Sequence, residues 1–221
     1  MMRIVSGRPG VDLLVVTPLL TGHKISRDTI INLNRNDIKF VWISYESGNN
    51  IAKNCDLGIK TYREKYNTPK YVMMVDNDII PSRHMLDKMH HRLNHSKDNE
   101  AFCYCNFEFK GTVNRKFYNL AYDPIVLIRG NFISSNSMIK MDKLDEIGGL
   151  VTDDKYKRLL DWCTWLKFLS HGYYGILCND TSFVAISKES SVSSGSAEDY
   201  WKTHQLIHQD FVEPLVSGIV F

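Results

Sequence analysis

The sequence lacks any apolar run long enough for a membrane helix. No hydrophobic stretch approaches the roughly 20 residues that such a helix needs. No long apolar core follows Met1 to Ser6 either, so neither a membrane span nor a signal peptide is expected. The formal net charge is only +2 over 221 residues, which gives no electrostatic reason to expect nucleic acid or an anionic membrane as a partner. These absences favour a cytoplasmic protein.

The sequence is also poor in cysteine, and the pattern argues against two kinds of site. Its five cysteines are an odd number and include no Cys-x-x-Cys pair, which suits neither a disulfide framework nor a structural zinc site. Cys103 and Cys105 alternate with aromatic residues in an apolar segment. We therefore predict buried free thiols and a reducing compartment.

An apolar run that ends in two aspartates, Tyr71 to Pro81, is the most informative stretch of the chain. Such a run predicts a strand buried on both faces, and ligands of open parallel sheets bind just outside the carboxyl ends of these strands. Asp76 and Asp78 would therefore lie where a site is expected. Divalent cations prefer carboxylate oxygen and relieve the repulsion between two carboxylates. We interpret the turn as a metal site; a solvated turn with two surface aspartates is the alternative.

Strand and helix patterns alternate through the first eighty residues. Apolar runs over Asp12 to Pro18 and Lys39 to Ile43 predict two further buried strands before the one at Tyr71. Helical spacing of apolar residues follows each of them, over Ile25 to Asn34 and from Ile51 to Tyr62. This alternation predicts right-handed crossovers and a parallel, doubly wound sheet.

The rest of the chain continues the α/β pattern. The further strands that we predict are Ala101–Phe109, Ile125–Ile128, Ser137–Lys140 and Tyr173–Cys178, and the further helices are Met85–Leu93, Lys143–Ile147, Lys157–His171 and Glu198–Phe211. Ser187 to Ala197 is rich in Ser and Gly, which predicts a mobile loop. We predict one domain, 1–221, with an α/β sandwich around a mainly parallel central sheet. The chain ends soon after an apolar tail, Leu215 to Phe221, which fits a domain taken from a longer protein.

Titratable residues on the later helices are further candidates. Asp161 lies beside an apolar stripe that contains Trp162 and Trp165, so its carboxylate should emerge at the edge of a buried face; a helix-surface or capping acid is the alternative. His204 and His208 are four residues apart on one helical face. The histidines around the helix that follows Pro81 are better explained as solvated partners of the helix dipole than as metal ligands. These histidines are His84, His90, His91 and His95.

The order of the early strands, the Asp-x-Asp turn and the helix that bears Asp161 resembles that of the GT-A glycosyltransferases, in particular the inverting enzymes of glycosyltransferase family 2. The resemblance extends over nearly the whole chain. The family's metal-binding Asp-x-Asp matches Asp76 to Asp78. Its Glu-Asp-x-Asp-Leu-Trp-Leu-Arg motif aligns with Leu160 to Lys167, which keeps the first Asp as Asp161 but loses the Glu and the second Asp. The other matches are Thr17-Pro18-Leu19 at the nucleotide turn, Glu46 in place of the base-binding acid, Ala52-Lys53-Asn54 for Ala-Arg-Asn, and Gly148-Gly149-Leu150 for Gly-Gly-Phe.

The resemblance implies a metal-dependent, inverting transfer of a sugar from a nucleotide-diphosphate sugar to a hydroxyl of a glycan or glycoprotein acceptor. A UDP-sugar is the family's commonest donor. Asp161 would be the general base, and Mn²⁺ or Mg²⁺ would be held by Asp78, by Asp76 (shared with the ribose) and by His208, with His204 as a weaker candidate. The implied nucleotide-sugar-binding residues are Thr17, Pro18, Leu19, Glu46, Lys53, Asn54, Asp76 and Asn77. Residues 1–110 would bind the donor, residues 111–221 would bind the acceptor and carry the base, and the loop from Ser187 would close over the donor.

Two other functions stay open. A sugar nucleotidyltransferase on a similar sheet would carry a Gly-rich, basic phosphate loop after the first strand, and Thr17 to Gly22 lacks one. A non-catalytic domain of the same fold that binds a nucleotide sugar or carbohydrate is favoured by the altered motif around Asp161. The intact pair Asp76 and Asp78 argues against it.

Overall fold

Nine strands form one sheet in the part of the chain that the computed structural model describes, residues 1–112, 114–187 and 196–218. The strand order is β1-β3-β2-β4-β8-β6-β9-β5, and β7 pairs with β6 outside this path. The strands are β1 Met2–Ser6, β2 Leu13–Leu19, β3 Phe40–Glu46, β4 Tyr71–Met74, β5 Ile79–Pro81, β6 Glu100–Gly111, β7 Arg115–Phe117, β8 Met138–Lys140 and β9 Tyr174–Ser187.

Helices cover the two faces of this sheet. They are α1 Arg27–Leu33, α2 Ile51–Lys65, α3 Met85–Asn94, α4 Pro124–Arg129, α5 Met141–Glu146, α6 Leu160–Ser170, α7 Ala197–Ile207 and α8 Glu213–Ser217. A 3-10 turn, Asp154–Leu159, leads into α6, and a π-helical turn, His208–Val212, joins α7 to α8. The predicted strand-helix-strand-helix-strand order of the first eighty residues is confirmed as β2-α1-β3-α2-β4.

The direction of the chain across the sheet reverses at β2. Strand β3 pairs with β2 on one side and β4 pairs with it on the other, both in parallel. The crevice outside the carboxyl ends of β2 and β4 is therefore a topological switch point, where α/β proteins bind their ligands. The predicted α/β fold class is confirmed. The sheet as a whole is mixed, because β1, β5, β7 and β8 pair antiparallel with their neighbours around this parallel core.

Strand β2 shows why the core is parallel and buried. Every residue of the strand is buried. Leu14 and Val16 pack into the cluster under α2 and α6, whereas Leu13 and Val15 pack into the cluster under α3. Apolar residues at consecutive positions suit a strand that is covered on both faces.

The segment Ile125–Ile128 is helical, so the strand predicted there is wrong. Oδ1 of Asp123 accepts hydrogen bonds from the backbone N–H groups of Ile125 at 2.8 Å and Val126 at 3.3 Å, which caps α4. Pro124 occupies the first turn, where a missing N–H is tolerated. A four-residue apolar run cannot by its pattern alone distinguish a strand from a buried helix.

Other differences concern short elements and boundaries. The sequence patterns do not predict β1, β5 and β7, which have five residues or fewer. Strand β9 runs past Cys178 to Ser187 because its second half pairs with both β5 and β6. The predicted helix over Glu198–Phe211 turns π-helical at His208. Gly148 and Gly149 have φ values of 75° and 84°, the left-handed conformation in which glycine commonly ends a helix.

The cysteines and the helices bear on the predictions of free thiols and of no membrane span. All five cysteines are buried and free, as predicted. In the described residues, no helix combines the length and apolarity needed to cross a bilayer.

Packing between β6 and β9 generates a stability prediction. A Cβ on Gly175 would lie 2.4 Å from a ring carbon of Phe102, which is itself fully buried and stacked on Trp165. We expect Gly175→Ala to lower the free energy of unfolding by about 1–3 kcal/mol through overpacking. Chemical denaturation measures this. The matched control is Gly48→Ala, where a Cβ meets nothing within 4 Å; equal stability of the two variants would contradict the packing.

Candidate active site

The turn from Asp76 to Asp78 is fastened on both sides at the carboxyl end of β4. The backbone N–H of Asp76 donates to Oδ1 of Asn136 at 2.9 Å. The carbonyl of Asn77 accepts from the N–H of Ser26 at 2.7 Å, and its side-chain amide donates to the carbonyl of Lys24 at 2.9 Å. These bonds fix the backbone from which both carboxylates project. They also give the Asn77 side chain a structural partner in the loop between β2 and α1.

Asp76 has a half-buried carboxyl group with partners of its own. Nδ2 of Asn136 donates to its Oδ2 at 2.8 Å, and the side chain of Ser135 bonds to it as well. Burial, with a smaller contribution from the charge of Asp78, raises the pKa of Asp76 to about 6, although Asn136 and Ser135 oppose the rise. The group therefore titrates within two units of neutral pH.

Asp161 begins α6 and has a similar environment. Its Oδ1 accepts from the N–H of Trp162 at 2.8 Å, and the nearby side chain of Asn131 favours its charged form. Burial, with a smaller contribution from the charge of Asp76, raises the pKa of Asp161 to about 6. Because charges act on each other's pKa over short distances, the structure brings Asp161 and the Asp76 turn together at one site. They are 85 positions apart in the sequence.

The predicted nucleotide turn at the end of β2 is largely buried. Thr17 is fully buried, and its Oγ1 accepts from the indole N–H of Trp42 at 2.9 Å. Pro18 is buried, and Leu19 is 8% exposed at the end of the strand. The hydroxyl of Thr17 is thus engaged in the core, and a direct nucleotide contact by Thr17, Pro18 or Leu19 stays a prediction.

The candidates on β3 and α2 differ in exposure. Asn54 is fully buried and ties the carbonyl of Leu19, at 2.8 Å, to the loop that follows β3. Lys53 is exposed in the first turn of α2. Oε1 of Glu46 accepts from the N–H of Gly22 at 3.1 Å. Asn54 therefore supports the wall of the crevice, and Lys53 and Glu46 remain the candidates that can reach a ligand.

His208 lies on the flank of α6 near the same site. Its ring stacks on His204, with centroids 4.6 Å apart, and packs against Trp162. Its Nε2 is buried and has no hydrogen-bond partner in the structure. Burial lowers the pKa of His208, which favours the neutral ring that binds metals. Nε2 of His204 instead lies 3.2 Å from the carbonyl of Arg129, so that nitrogen carries a proton.

The chemistry of these donors fits a divalent cation. Asp76 and Asp78 supply carboxylate oxygens, and His208 supplies an unpartnered imidazole nitrogen. Their ligand atoms do not all lie within 4.8 Å of one another, so a metal role for His208 stays a prediction. Within the described residues, the group that does meet this distance is Asp37, His84 and Asp87. Its members already pair with each other and with backbone N–H groups before β3.

Sequence reasoning missed the polar residues between α4 and β8. Asn131, Ser135 and Asn136 bond to the two central acids. The signal was the polar run Ser134 to Ser137 between two apolar segments. A polar run of this kind shows where an element ends, but it does not show which residues the run contacts.

The predicted lid can be described only at its ends. Ser187 ends β9, and Ser196 caps α7 through its Oγ, which accepts from the N–H of Asp199. Residues 188–195 lie outside the described part of the chain. The N–H of Ile186 donates to the carbonyl of Asp78 at 3.4 Å, so the end of β9 lies beside the acidic turn.

Known proteins resemble this chain in fold rather than in sequence. No family model and no curated protein matches the sequence, but solved structures match the fold. S. aureus TarS 1–349 in complex with UDP-GlcNAc, a GT-A glycosyltransferase, superposes with a TM-score of 0.63 at 12% identity, over 90% of this chain and 66% of that one. This chain has the GT-A fold.

Two further structures set the extent of the likeness. Full-length S. aureus TarS gives a TM-score of 0.59 at 12% identity over 90% of this chain, which spans 39% of that protein. The viral protein A197 from STIV gives 0.50 at 14% identity, over 80% of this chain and 86% of that one. This chain therefore spans about two thirds of TarS 1–349 and well under half of full-length TarS.

The raised pKa of Asp161 predicts a pH-dependent gain in stability for Asp161→Asn. The folded pKa of about 6 exceeds the ordinary 3.8, so the folded chain binds more protons between these values, and its free energy of unfolding falls as pH rises through them. The difference between the ordinary pKa of 3.8 and the folded pKa of about 6 sets an upper limit of about 3 kcal/mol on this change in the free energy of unfolding. In metal-free buffer we expect the variant to be about 1–3 kcal/mol more stable than wild type at pH 8.

Chemical unfolding at pH 4 and pH 8 measures the effect, and the acidic point is the internal control. The difference between variant and wild type should shrink towards pH 4, where Asp161 of the folded wild type is protonated. A variant that is no more stable than wild type at pH 8 would contradict the burial of this carboxyl.

Proposed function

We propose that the chain is a metal-dependent inverting glycosyltransferase that moves a sugar from a UDP-sugar to a hydroxyl of a glycan or glycoprotein acceptor. The observation that carries the proposal is the meeting of Asp161 with the Asp76–Asp78 turn at the switch point of a GT-A sheet. The complex of TarS with UDP-GlcNAc favours uridine as the base. A glycan or glycoprotein is the acceptor class implied by the resemblance.

The donor site would occupy the crevice between the ends of β2 and β4. Glu46 and Lys53 border this crevice at the end of β3 and the start of α2, where they could contact the base and the diphosphate. Asp78 and Asp76 would hold Mn²⁺ or Mg²⁺, with His208 as the candidate third ligand. When bound, the cation neutralises the charge of the leaving nucleoside diphosphate.

Asp161 would act on the acceptor. Its pKa of about 6 leaves it mostly ionised at pH 7.5, yet basic enough to accept a proton, which is the balance that a general base needs. It would take the proton of the acceptor hydroxyl as that oxygen bonds to the anomeric carbon. The bond from this carbon to the phosphate oxygen breaks on the opposite face. Attack opposite the leaving group inverts the anomeric configuration.

A non-catalytic domain of the same fold is the second candidate, and its support is the altered motif around Asp161. The two positions where the family has further acids are Leu160 and Cys163, which are 8% and 0% exposed. An acid at either would be buried beside the Asp161 carboxyl, at a high desolvation cost. The two replacements are therefore explained by core packing, and they leave the acid itself in place.

Metal-dependent donor binding tests the role of Asp78. We expect Asp78→Ala to abolish the gain in UDP affinity that Mn²⁺ provides, because a metal bridge between the carboxylate and the diphosphate would be lost. Isothermal titration calorimetry with UDP, with and without Mn²⁺, measures it. The matched control is Asp37→Ala, an aspartate before β3 in the separate Asp37-His84-Asp87 group. Retention of the full Mn²⁺ effect in Asp78→Ala would exclude this residue as a ligand.

Turnover tests the role of Asp161. We expect Asp161→Asn to bind the UDP-sugar and Mn²⁺ nearly as wild type does but to transfer the sugar about 10²–10⁴-fold more slowly, the usual loss on removal of a general base. A panel of nucleotide sugars, read by nucleotide release, identifies the donor first. NMR of the product then gives its anomeric configuration. A fully active variant would remove Asp161 as the base, and a product that keeps the donor's configuration would exclude the inverting mechanism.

A further inference from the structure

We infer that the loop from Gly130 to Ser137 positions both acids of the proposed reaction, with Asn131 holding Asp161 and Asn136 holding Asp76. The inference rests on the proposed function for the roles of the two acids. This loop lies between α4 and β8. In the described chain, no other segment positions both carboxyl groups. Asn131 and Asn136 are therefore positioning residues.

Asn136 fixes the backbone and the carboxyl group of Asp76 together. Its Oδ1 accepts from the Asp76 N–H at 2.9 Å, and its Nδ2 donates to Oδ2 of the same residue at 2.8 Å. Asn136 is only 2% exposed, and its own N–H donates to Oγ of Ser134 at 3.2 Å. An amide held in this way presents one donor and one acceptor in a fixed direction. The Asp76 side chain is thereby restrained relative to the crevice.

Asn131 performs the corresponding task for Asp161. Its Oδ1 accepts from the N–H of Ile133 at 3.0 Å, which leaves its NH₂ group available to the nearby Asp161 carboxylate, whose charged form Asn131 favours. The N–H of Trp162 donates to the same carboxylate at 2.8 Å. With two donors, one from the loop and one from α6, the carboxylate has a defined orientation.

Two buried tryptophans of α6 hold helix α4 and the loop that follows it. The indole N–H of Trp162 donates to the carbonyl of Leu127 at 2.7 Å, and that of Trp165 donates to the carbonyl of Ile133 at 3.1 Å. Both side chains are at most 2% exposed. These bonds set the loop in register with the helix that bears Asp161. The same loop therefore fixes the spatial relation between Asp161 and the Asp76 turn.

The two asparagines should affect different steps. Loss of the Asn136 donor should weaken divalent metal and donor binding, whereas loss of the Asn131 donor should slow turnover without weakening donor binding. Residues that orient a ligand or a reactive group typically cost about 10–100-fold in affinity or activity when changed. A residue with a merely structural role would instead move both quantities together.

The test uses Asn131→Asp, Asn136→Asp and the matched control Asn36→Asp. Each change keeps the side-chain shape and an acceptor oxygen but removes an NH₂ donor. Asn36 binds the N–H of Leu86 and the carbonyl of Leu33 in the loop before β3, away from the carboxyl ends of β2 and β4. UDP affinity with Mn²⁺, kcat, KM and thermal unfolding are measured for each. Asn131→Ala and Asn136→Ala repeat the test without an added carboxyl group.

The expected result is a split between the two positions. The Asn136 variants should bind Mn²⁺ and UDP about 10–100-fold more weakly, and the Asn131 variants should bind them within about twofold of wild type but lose about 10–100-fold in kcat. Asn36→Asp should match wild type in both. Equal losses in affinity and kcat at both positions, or no loss at either, would overturn the inference.

Failure of the proposed function gives a different outcome. If wild type binds UDP and Mn²⁺ but transfers no sugar, the transferase proposal fails, and crystal structures of Asn131→Ala and Asn136→Ala then decide the positioning. Reoriented carboxyl groups of Asp161 and Asp76 would support the inference. Unchanged carboxyl groups in both variants would overturn it.

Discussion

Burial of two mutually repelling carboxyl groups is the constraint on which the site depends. Asp76 and Asp161 are both half-buried at the edge of the sheet, and the pKa of each is raised to about 6, mainly by burial. The charge of Asp76 adds to the effect on Asp161. Such an arrangement opposes folding at neutral pH, so other interactions must offset it. Sites of this kind are commonly functional, because stability alone would favour their removal.

The strands and the loop around the two acids supply the interactions that offset this destabilisation. The parallel core β3-β2-β4 is buried on both faces and places the end of β4 at the switch point. The antiparallel strand β8 joins β4 to β6 and follows the loop that bears Asn131 and Asn136. Side chains of that loop approach both acids, and Trp165 of α6 anchors the loop at Ile133. The site thus combines elements from both halves of the chain.

Much of this could be predicted from local sequence. Continuous apolar runs predicted the buried strands, the turn chemistry predicted the Asp76–Asp78 turn, and the apolar stripe of α6 predicted that Asp161 would emerge at a buried edge. The carboxyl ends of parallel strands lie at one edge of a sheet. A single strand and its following turn therefore defined the location of the site before any contact was known.

The remainder depends on tertiary contacts that local patterns do not encode. Asn131 and Asn136 lie in a segment without periodicity, and bonds from Trp162 to α4 and from Trp165 to the loop carbonyl of Ile133 hold that segment against α6. Helix α4 was predicted as a strand because its apolar run is too short to show a period, although Asp123-Pro124 is a helix-start signal that could have identified it. The buried hydroxyl of Thr17 depends on Trp42, a residue 25 positions away.

The central claim is that Asp161 and the acidic turn face one bound sugar nucleotide from opposite sides of its anomeric carbon. The most direct measurement is a crystal structure of the protein with Mn²⁺ and a non-hydrolysable UDP-sugar. The account predicts Mn²⁺ between the diphosphate and Asp78, with the Asp161 carboxylate on the face of the sugar ring away from the phosphate. A nucleotide bound elsewhere, or Asp161 on the phosphate side of the sugar, would contradict it.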